Sequence, residues 1–340
     1  MKLTIPFVPL VLIWVGVTQA EAAQALQATT HFRKPFFITC LDHAITALLL
    51  PGLYIYHRVG DASAGVQTDK LGIVDVLQRH SMHPLRKLLT IAVVLNSVYL
   101  LADYMWFTAL GMVSVAAGTA ISNTAPFFVY VFSMCFLHEK ASWKKLSGVV
   151  TSFIGVALIA LFQDGVTENS HDTSFLACML VVTQTMIVAG YGVTYRVVVS
   201  QDVDDASTIL TLTGICGMVT IPVWVVGSLL LSVCPLQAME EPLGLPETEW
   251  GFFLLIVSGS LAGIYTLLQS LALCWTTPLI TSVGAMLTIP LSLLWDTILN
   301  GRVFAWECLL GSTLVMAGFG MLELGSSKQK AEDKIEATIA

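Results

Sequence analysis

The sequence predicts an all-α membrane protein with ten transmembrane helices, arranged as two inverted five-helix repeats. Three observations predict this fold class: an apolar composition, long segments without charge, and a tryptophan and glycine pattern that occurs twice. Of the 340 residues, 56% are hydrophobic and 11% are charged, whereas about 25% of the residues of a soluble domain are charged. Water is therefore not the main solvent of this chain.

Long parts of the chain contain no charged residue. Four segments contain no Asp, Glu, Lys or Arg, namely 113–137, 175–195, 206–239 and 250–295. A helix of about 20 apolar residues crosses the roughly 30 Å hydrocarbon core of a bilayer. The segments lack the alternation of polar and apolar residues that marks membrane-spanning β-strands, so we predict helices.

Polar and turn-forming interruptions divide the chain into candidate spans. The segment Trp275–Pro278 splits the longest charge-free run, because Pro restricts the preceding residue and removes a backbone donor. The ten spans are predicted near residues 5–22, 36–57, 88–110, 113–137, 145–162, 174–195, 207–233, 250–274, 279–299 and 305–323.

The first span has a second interpretation. Lys2, an apolar stretch and the small residues between Thr18 and Ala22 also fit a secretory signal with a cleavage site. Pro6 and Pro9 stand early in the stretch, and the following polar residues give no clear mature start, which favours a retained span.

The basic residues predict the orientation of the spans. With the N-terminus in the cytoplasm, all 16 Lys and Arg residues except Arg33, Lys34 and Arg302 fall in cytoplasmic segments. Cytoplasmic loops are enriched in Lys and Arg. Both termini are therefore predicted in the cytoplasm, and residues 325–340 are predicted as a cytoplasmic tail.

A W-x4-G-x6-G pattern opens both the fifth and the tenth span, at residues 143–155 and 306–318. Pro126 and Pro290 lie in the preceding spans, and each is predicted to break or kink its helix at a matched depth. Chance agreement is the alternative, since Gly and Trp are common in membrane helices. The coincident prolines favour duplication.

Duplication has a consequence for topology. An odd number of helices per copy, with repeats at 1–162 and 163–324, makes the second copy enter the membrane from the opposite side. Such inverted repeats are the architecture of many secondary transporters. Exchange of conformations between the copies would open a central site first to one side and then to the other.

Asp103 is the strongest candidate for a binding residue. It lies well inside a long apolar helix, where a carboxylate costs at least a few kcal/mol unless it meets water or a partner. Asn96 shares its helix face, and Tyr99 offers a ring suited to a cationic or aromatic solute. The alternative is helix packing, with Asp103 protonated or bonded to Asn123 or Thr119.

Other polar residues receive weaker interpretations. Asp42 and His43, early in the second span, are predicted to be solvated near the noncytoplasmic interface, because charged groups near helix ends reach water cheaply. Gln184, at the middle of the sixth span, is predicted to line a cavity or to bond to another helix.

Four short motifs carry a family resemblance. They are His31-Phe32-Arg33-Lys34-Pro35-Phe36-Phe37, Asp103-Tyr104 through Ala109-Leu110, Tyr191 with Arg196, and Thr288-Ile289-Pro290 followed by Asp296. From about residue 32 to residue 324, the chain resembles the drug/metabolite transporter superfamily with the ten-helix EamA-like fold, and within it solute carrier family 35, subfamily F. The family usually has Asn at the position of Asp103.

The resemblance implies a membrane transporter. Members are assigned or proposed to move thiamine and related organic solutes, and more distant relatives move nucleotide sugars. A nucleotide-sugar carrier needs partners for phosphates, usually Lys or Arg, and the predicted helix interiors contain neither, which disfavours that alternative. We therefore expect a neutral or cationic organic solute. The predicted binding residues are Asp103, Asn96, Tyr99, Asn123, Gln184 and Tyr191, and Asp296 is a family position.

Other function classes have less support. The seven histidines fall near or outside span ends, and the seven cysteines are scattered without a CxxC pair. We therefore expect no catalysis, no metal, no cofactor and no nucleic acid, with a small solute and the lipid bilayer as partners. A non-transporting receptor or scaffold is the alternative, because the basic connection at 58–87 and the Lys-rich tail could bind anionic lipid. The helix lengths fit an endomembrane, Golgi or vesicular, or the plasma membrane.

Overall fold

Helices account for the regular structure of the residues that the computed structural model describes. These residues are 35–64, 71–110, 121–137, 142–162, 175–199, 205–232, 244–275, 278–287 and 306–339, with single residues between 11 and 34 and at 118, 241 and 290.

The helices follow the apolar segments of the sequence. In chain order they are α1 (Pro35–Ala44), α2 (Leu49–Ser63), α3 (Ile73–Arg79), α4 (Leu85–Leu110), α5 (Ala125–Phe136), α6 (Trp143–Phe162), α7 (Phe175–Val199), α8 (Ala206–Ser232), α9 (Glu249–Trp275), α10 (Pro278–Met286) and α11 (Trp306–Ile339). A 3₁₀ turn, Ile45–Leu48, joins α1 directly to α2.

Within the described part of the chain, five helical stretches are long and apolar enough to cross a membrane. They are Pro35–Ser63, Leu85–Ala109, Phe175–Val199, Ala206–Ser232 and Glu249–Leu273. These stretches coincide with the second, third, sixth, seventh and eighth predicted spans. The first span and most of the ninth lie outside the described residues, so the number of ten stays a prediction.

Two helix boundaries can be compared with the predicted ones. The break predicted at Trp275–Pro278 is confirmed, because α9 ends at Trp275 and α10 begins at Pro278. The last helix, α11, continues to Ile339. Residues 325–339 of the segment predicted as a tail therefore extend this helix.

The chain divides into two compact units, each formed by two separate segments. The first unit comprises Met1–Gly111 and Tyr195–Trp275, and the second comprises Met112–Thr194 and Thr276–Ala340. Each unit therefore combines residues from both predicted repeats. The repeat boundary at 162 stays a prediction about duplication within the sequence.

In the first unit, α8 packs along α1, the 3₁₀ turn and α2. Glycines of α8 contact these elements in reverse order: Gly227 lies on Phe36, Gly217 on Thr46 and Gly214 on Leu50. The two spans are therefore antiparallel. A β-carbon at any of the three glycines would overlap its neighbour, so the small residues permit the close approach.

In the second unit, the two copies of the W-x4-G-x6-G pattern pack against each other, through α6 and α11. Gly148 lies on Gly318, and Gly155 lies on Gly311. A β-carbon at Gly155 would lie 2.5 Å from the Gly311 carbonyl oxygen, and one at Gly311 would lie 2.6 Å from the Gly155 carbonyl oxygen. The helices are antiparallel, and equivalent residues make equivalent contacts.

Other apolar side chains complete the core of the second unit. The buried members come from α5, α6, α7, α10 and α11: Val129, Tyr130, Val149, Val156, Ile159, Ala189, Val193, Leu279, Val283, Met286, Cys308, Val315 and Leu322.

We expect Gly311→Ala to destabilise the protein by about 1–3 kcal/mol, the range for inserting a methyl group into a packed interior. Gly320→Ala is the matched control on the same helix, because a β-carbon there meets nothing within 4 Å. The control is expected to be neutral or to stabilise slightly through helix propensity. Thermal unfolding of both variants in detergent measures the difference, and equal midpoints would contradict the close packing.

Candidate functional site

The carboxylate of Asp103, on α4, pairs with the imidazole of His43, on α1. His43 Nε2 lies 2.8 Å from Asp103 Oδ2, and the side chains are 5% and 24% exposed, respectively. The His43 ring also contacts Tyr99 edge to face, with ring centroids 5.0 Å apart. Asp103 therefore has a specific partner on a neighbouring helix of the first unit.

The prediction of solvated interface positions for Asp42 and His43 was wrong. The two residues are 6% and 4% exposed, respectively. The 3₁₀ turn continues α1 into α2, so the span reaches Ser63 rather than ending near residue 57. Packing of α4, α8 and α9 on α1 covers the face that carries both side chains, which hydropathy alone does not reveal.

Asp42 has a neutral partner and lies close to a second carboxylate. Its Oδ2 accepts a hydrogen bond from Gln19 Nε2, 3.2 Å away, and its Oδ1 is buried without a partner among the described residues. Asp103 acts on Asp42 electrostatically. This region therefore contains two carboxyl groups, and the one imidazole is bonded to Asp103.

Three polar residues of α4, at positions 96, 99 and 103, bond to three different helices. Asn96 Nδ2 donates to Thr220 Oγ1 on α8, 2.9 Å away. The Tyr99 hydroxyl donates to Gln269 Oε1 on α9, 3.1 Å away. With the Asp103 contact to α1, the structure brings together the three α4 residues that the sequence selected.

The other predicted binding residues lie in the second unit. Asn123, Gln184 and Tyr191 are each half-buried, and Gln184 Oε1 accepts a hydrogen bond from the Thr185 hydroxyl, 3.3 Å away. Asp296 lies outside the described residues. Binding roles for these residues stay predictions.

The structure describes the surroundings of Pro126 more fully than those of Pro290. Pro126 lies in the first turn of α5, directly after a turn at residues 123–124. Pro290 is buried, and residues 288–289 and 291–305 around it lie outside the described part of the chain. The matched breaks therefore stay a prediction.

A half-buried carboxylate that was not predicted from the sequence, Glu241, caps α1. Its two oxygens accept hydrogen bonds from the backbone N–H groups of Phe36 and Phe37, at 2.9 and 3.1 Å. Lys34 Nζ donates to the Gly244 carbonyl oxygen, 2.9 Å away. Pro35 lies in the first turn of α1, and the backbone N–H groups of the residues after it have no acceptor within the helix and can bind an anion. This proline was the feature of the sequence from which an acidic cap could have been predicted.

Burial raises the pKa of Glu241 above its usual value, and the hydrogen bonds from Phe36 and Phe37 and the charge of Lys34 oppose this effect. The folded state then binds a proton more tightly than the unfolded chain does. This tighter proton binding by Glu241 stabilises the folded state at low pH. The stabilisation is lost as the pH rises from the usual pKa of a glutamate through the raised pKa of Glu241.

We expect Glu241→Gln to remove this pH-dependent contribution. As the pH rises through that range, the unfolding midpoint of the wild type should fall relative to the midpoint of Glu241→Gln. Thermal unfolding in detergent at several pH values measures it. A difference that is constant with pH, or that shifts in favour of the wild type, would contradict the assigned direction.

A second group of titratable residues joins α2 to α3. The rings of His57 and His80 stack with centroids 4.1 Å apart, and His80 Nε2 lies 3.3 Å from Asp61 Oδ1. His80 Nδ1 lies 3.0 Å from the Val76 carbonyl oxygen. Within the described residues, no group of three or more His, Cys, Asp or Glu side chains could hold a metal ion.

Residues 10–161 of this chain match the EamA-like transporter family. An uncharacterized transporter of Schizosaccharomyces pombe is 28% identical over 65% of this chain and 64% of its own length, so this match spans less than two thirds of that protein.

Two proteins of Saccharomyces cerevisiae match over longer regions. An uncharacterized vacuolar membrane protein is 25% identical over 90% of this chain and 86% of its own. A thiamine-repressible mitochondrial transport protein is 24% identical over 91% and 88%, respectively.

A solved crystal structure has the same overall fold. It superposes on this chain with a TM-score of 0.62, covering 96% of this chain and 98% of its own, at 15% sequence identity. At this identity the likeness concerns the fold alone.

Proposed function

This chain carries an EamA-like transporter family domain at residues 10–161, and we propose that it moves a small neutral or cationic organic solute across a membrane by alternating access. The family and the names of the relatives indicate a transporter rather than an enzyme. The resemblance to the drug/metabolite transporter superfamily agrees with this domain. Among the relatives are a vacuolar membrane protein and a mitochondrial transport protein.

The observation that carries the proposal is the pair of the buried His43 and the half-buried Asp103 inside the candidate spans. Ionisable side chains inside a membrane span are costly and mark solute or ion pathways. Asp42 adds a second carboxylate to the same region, and the sequence has no Lys or Arg between residues 88 and 139 or between 197 and 301. The excess of carboxylates favours a neutral or cationic solute over an anion.

The packing of the repeated segments supports the proposed inverted repeat. A two-fold axis in the membrane plane places equivalent helices of the two copies antiparallel. The glycine contacts between α6 and α11 have this arrangement, and so do the contacts of α8 with the span from α1 to α2. We therefore propose ten spans in two copies, at 1–162 and 163–324, with both termini in the cytoplasm.

One relative is named for its repression by thiamine. This name makes thiamine, an organic cation with an aromatic ring, the first solute to test. Nucleotide sugars form the contrasting class, because their phosphates require positive partners and the region around His43 contains two carboxyl groups, Asp42 and Asp103, instead.

The test is uptake into proteoliposomes that contain the purified protein. Labelled thiamine, other organic amines and nucleotide sugars are compared with protein-free liposomes. We expect saturable uptake of at least one cationic or neutral organic solute. Uptake of nucleotide sugars alone, or of none of the panel, would contradict the proposal.

A further inference from the structure

Three buried oxygen atoms of α1 and α9 have no hydrogen-bond partner among the described residues. They are Thr39 Oγ1, Asp42 Oδ1 and Ser258 Oγ. The three residues are 1%, 6% and 1% exposed, respectively. Burial of an unpaired hydroxyl costs free energy, and burial of an unpaired carboxylate costs more. A polar or charged occupant would offset this cost.

The fold places the three residues at one level of the first unit. Thr39 and Asp42 are three residues apart on α1, so they share a helix face. Gly259, which follows Ser258 on α9, lies against α1. A β-carbon at Gly259 would lie 3.5 Å from the Leu41 side chain and 3.8 Å from Asp42 Oδ1. The missing side chain leaves a space about the size of a methyl group beside this carboxylate oxygen.

The charge of Asp42 is not balanced by its neighbours. Gln19, its hydrogen-bond partner, is neutral, and the His43 imidazole is bonded to Asp103. The sequences of α1, α8 and α9 contain no Lys or Arg. A carboxyl group in this environment needs either a proton or a positive counter-charge.

We propose that Asp42, Thr39 and Ser258 bind a single dehydrated Na⁺ ion. Hard cations take carboxylate and hydroxyl oxygens as ligands, and a small dehydrated ion needs little more room than the space beside Gly259 provides. A proton would satisfy Asp42 alone and would leave both hydroxyl oxygens unpaired. Ion sites of secondary transporters lie beside interrupted helices, and the 3₁₀ turn at Ile45–Leu48 begins three residues after Asp42.

The function of the ion rests on the proposed transport, whereas binding of the ion does not. In a transporter, this site would couple solute movement to a Na⁺ gradient. In purified protein, Na⁺ binding alone should stabilise the folded state by mass action. The two claims can therefore fail separately.

The test is thermal unfolding of the full chain in detergent, with Na⁺ as the probe at constant pH and ionic strength. We expect the midpoint to rise with Na⁺ in a saturable manner, and not with K⁺ or N-methylglucamine. Asp42→Asn keeps the shape of the side chain and removes its charge. It should raise the half-saturating Na⁺ concentration by about 10-fold or more, equivalent to roughly 1.4 kcal/mol.

Two further variants keep the test decisive if Asp42→Asn fails to fold. Ser258→Ala and Thr39→Val each remove one proposed ligand and should weaken the Na⁺ response. Ser270→Ala is the matched control on α9, because its hydroxyl already donates to the Thr266 carbonyl oxygen, 2.9 Å away, and it should leave the response unchanged.

Three results would overturn the site. They are a wild-type midpoint that does not respond to Na⁺, a Na⁺ response that survives in Asp42→Asn, and a response that Ser258→Ala and Thr39→Val leave intact. Stabilisation by a lower pH without any effect of Na⁺ would assign a proton to Asp42 instead. Na⁺ binding without solute uptake would support the site and would contradict only the proposed function.

Discussion

Asp103→Asn should reduce solute uptake by about 10-fold or more, the effect of losing roughly 1.4 kcal/mol of binding free energy. The substitution keeps a hydrogen-bond acceptor for His43 Nε2 and removes the negative charge. A cationic solute then loses its electrostatic attraction to the carboxylate.

Initial uptake rates in proteoliposomes, measured across a range of pH, test this expectation. Asp75→Asn is the matched control, because Asp75 is an exposed acid on α3, outside the candidate spans. Unchanged uptake by Asp103→Asn at every pH would mean that Asp103 only packs helices. The Asn that the family usually has at this position would then have the same packing role.

His43→Leu should destabilise the protein by about 3 kcal/mol, the lower end of the range for breaking a buried ion pair. The lower end applies because a quarter of the Asp103 side chain is exposed. The variant leaves the carboxylate without its partner. The double variant His43→Leu/Asp103→Leu should be more stable than His43→Leu alone, since no unpaired charge remains.

A double-mutant cycle with thermal or denaturant unfolding in detergent measures the coupling between the two residues. Gln269→Leu is the control, because it breaks a neutral bond between α4 and α9, and we expect a cost of about 1 kcal/mol. Additive effects of the two single substitutions, His43→Leu and Asp103→Leu, would show that the pair contributes no interaction energy.

Periodicity and charge predict the positions of the helices well. The bilayer demands long apolar helices, so the starts and ends of α4, α7, α8 and α9 follow from where charged and turn-forming residues stand. The 3₁₀ turn between α1 and α2 could not be predicted, because its sequence, Ile45–Leu48, is as apolar as the helices on either side.

The selection of Asp103, Asn96 and Tyr99 rested on the cost of polar groups inside a membrane helix. The structure places their contacts on three neighbouring helices. Their partners could not be predicted, because His43 is 60 residues away and Gln269 is 170 residues away in the chain. Contacts of that separation depend on which helices pack together.

The misplacement of Asp42 has the same cause. Asp42 lies near the start of its predicted span, which suggested contact with water. Its side chain instead faces α9, where Gly259 leaves room for it. Glu241 was missed because it lies in a loop more than 200 residues from the helix that it caps. A sequence shows that the N-terminus of α1 needs an acceptor and does not show which acid supplies it.

Equilibrium binding of the transported solute to purified protein in detergent tests the central claim most directly. It compares the wild type with Asp103→Asn without the contribution of transport rates or membrane orientation. We predict that Asp103→Asn raises the Kd by about 10-fold or more while the protein stays folded. Equal Kd values for the folded wild type and the folded variant would contradict a solute site at Asp103.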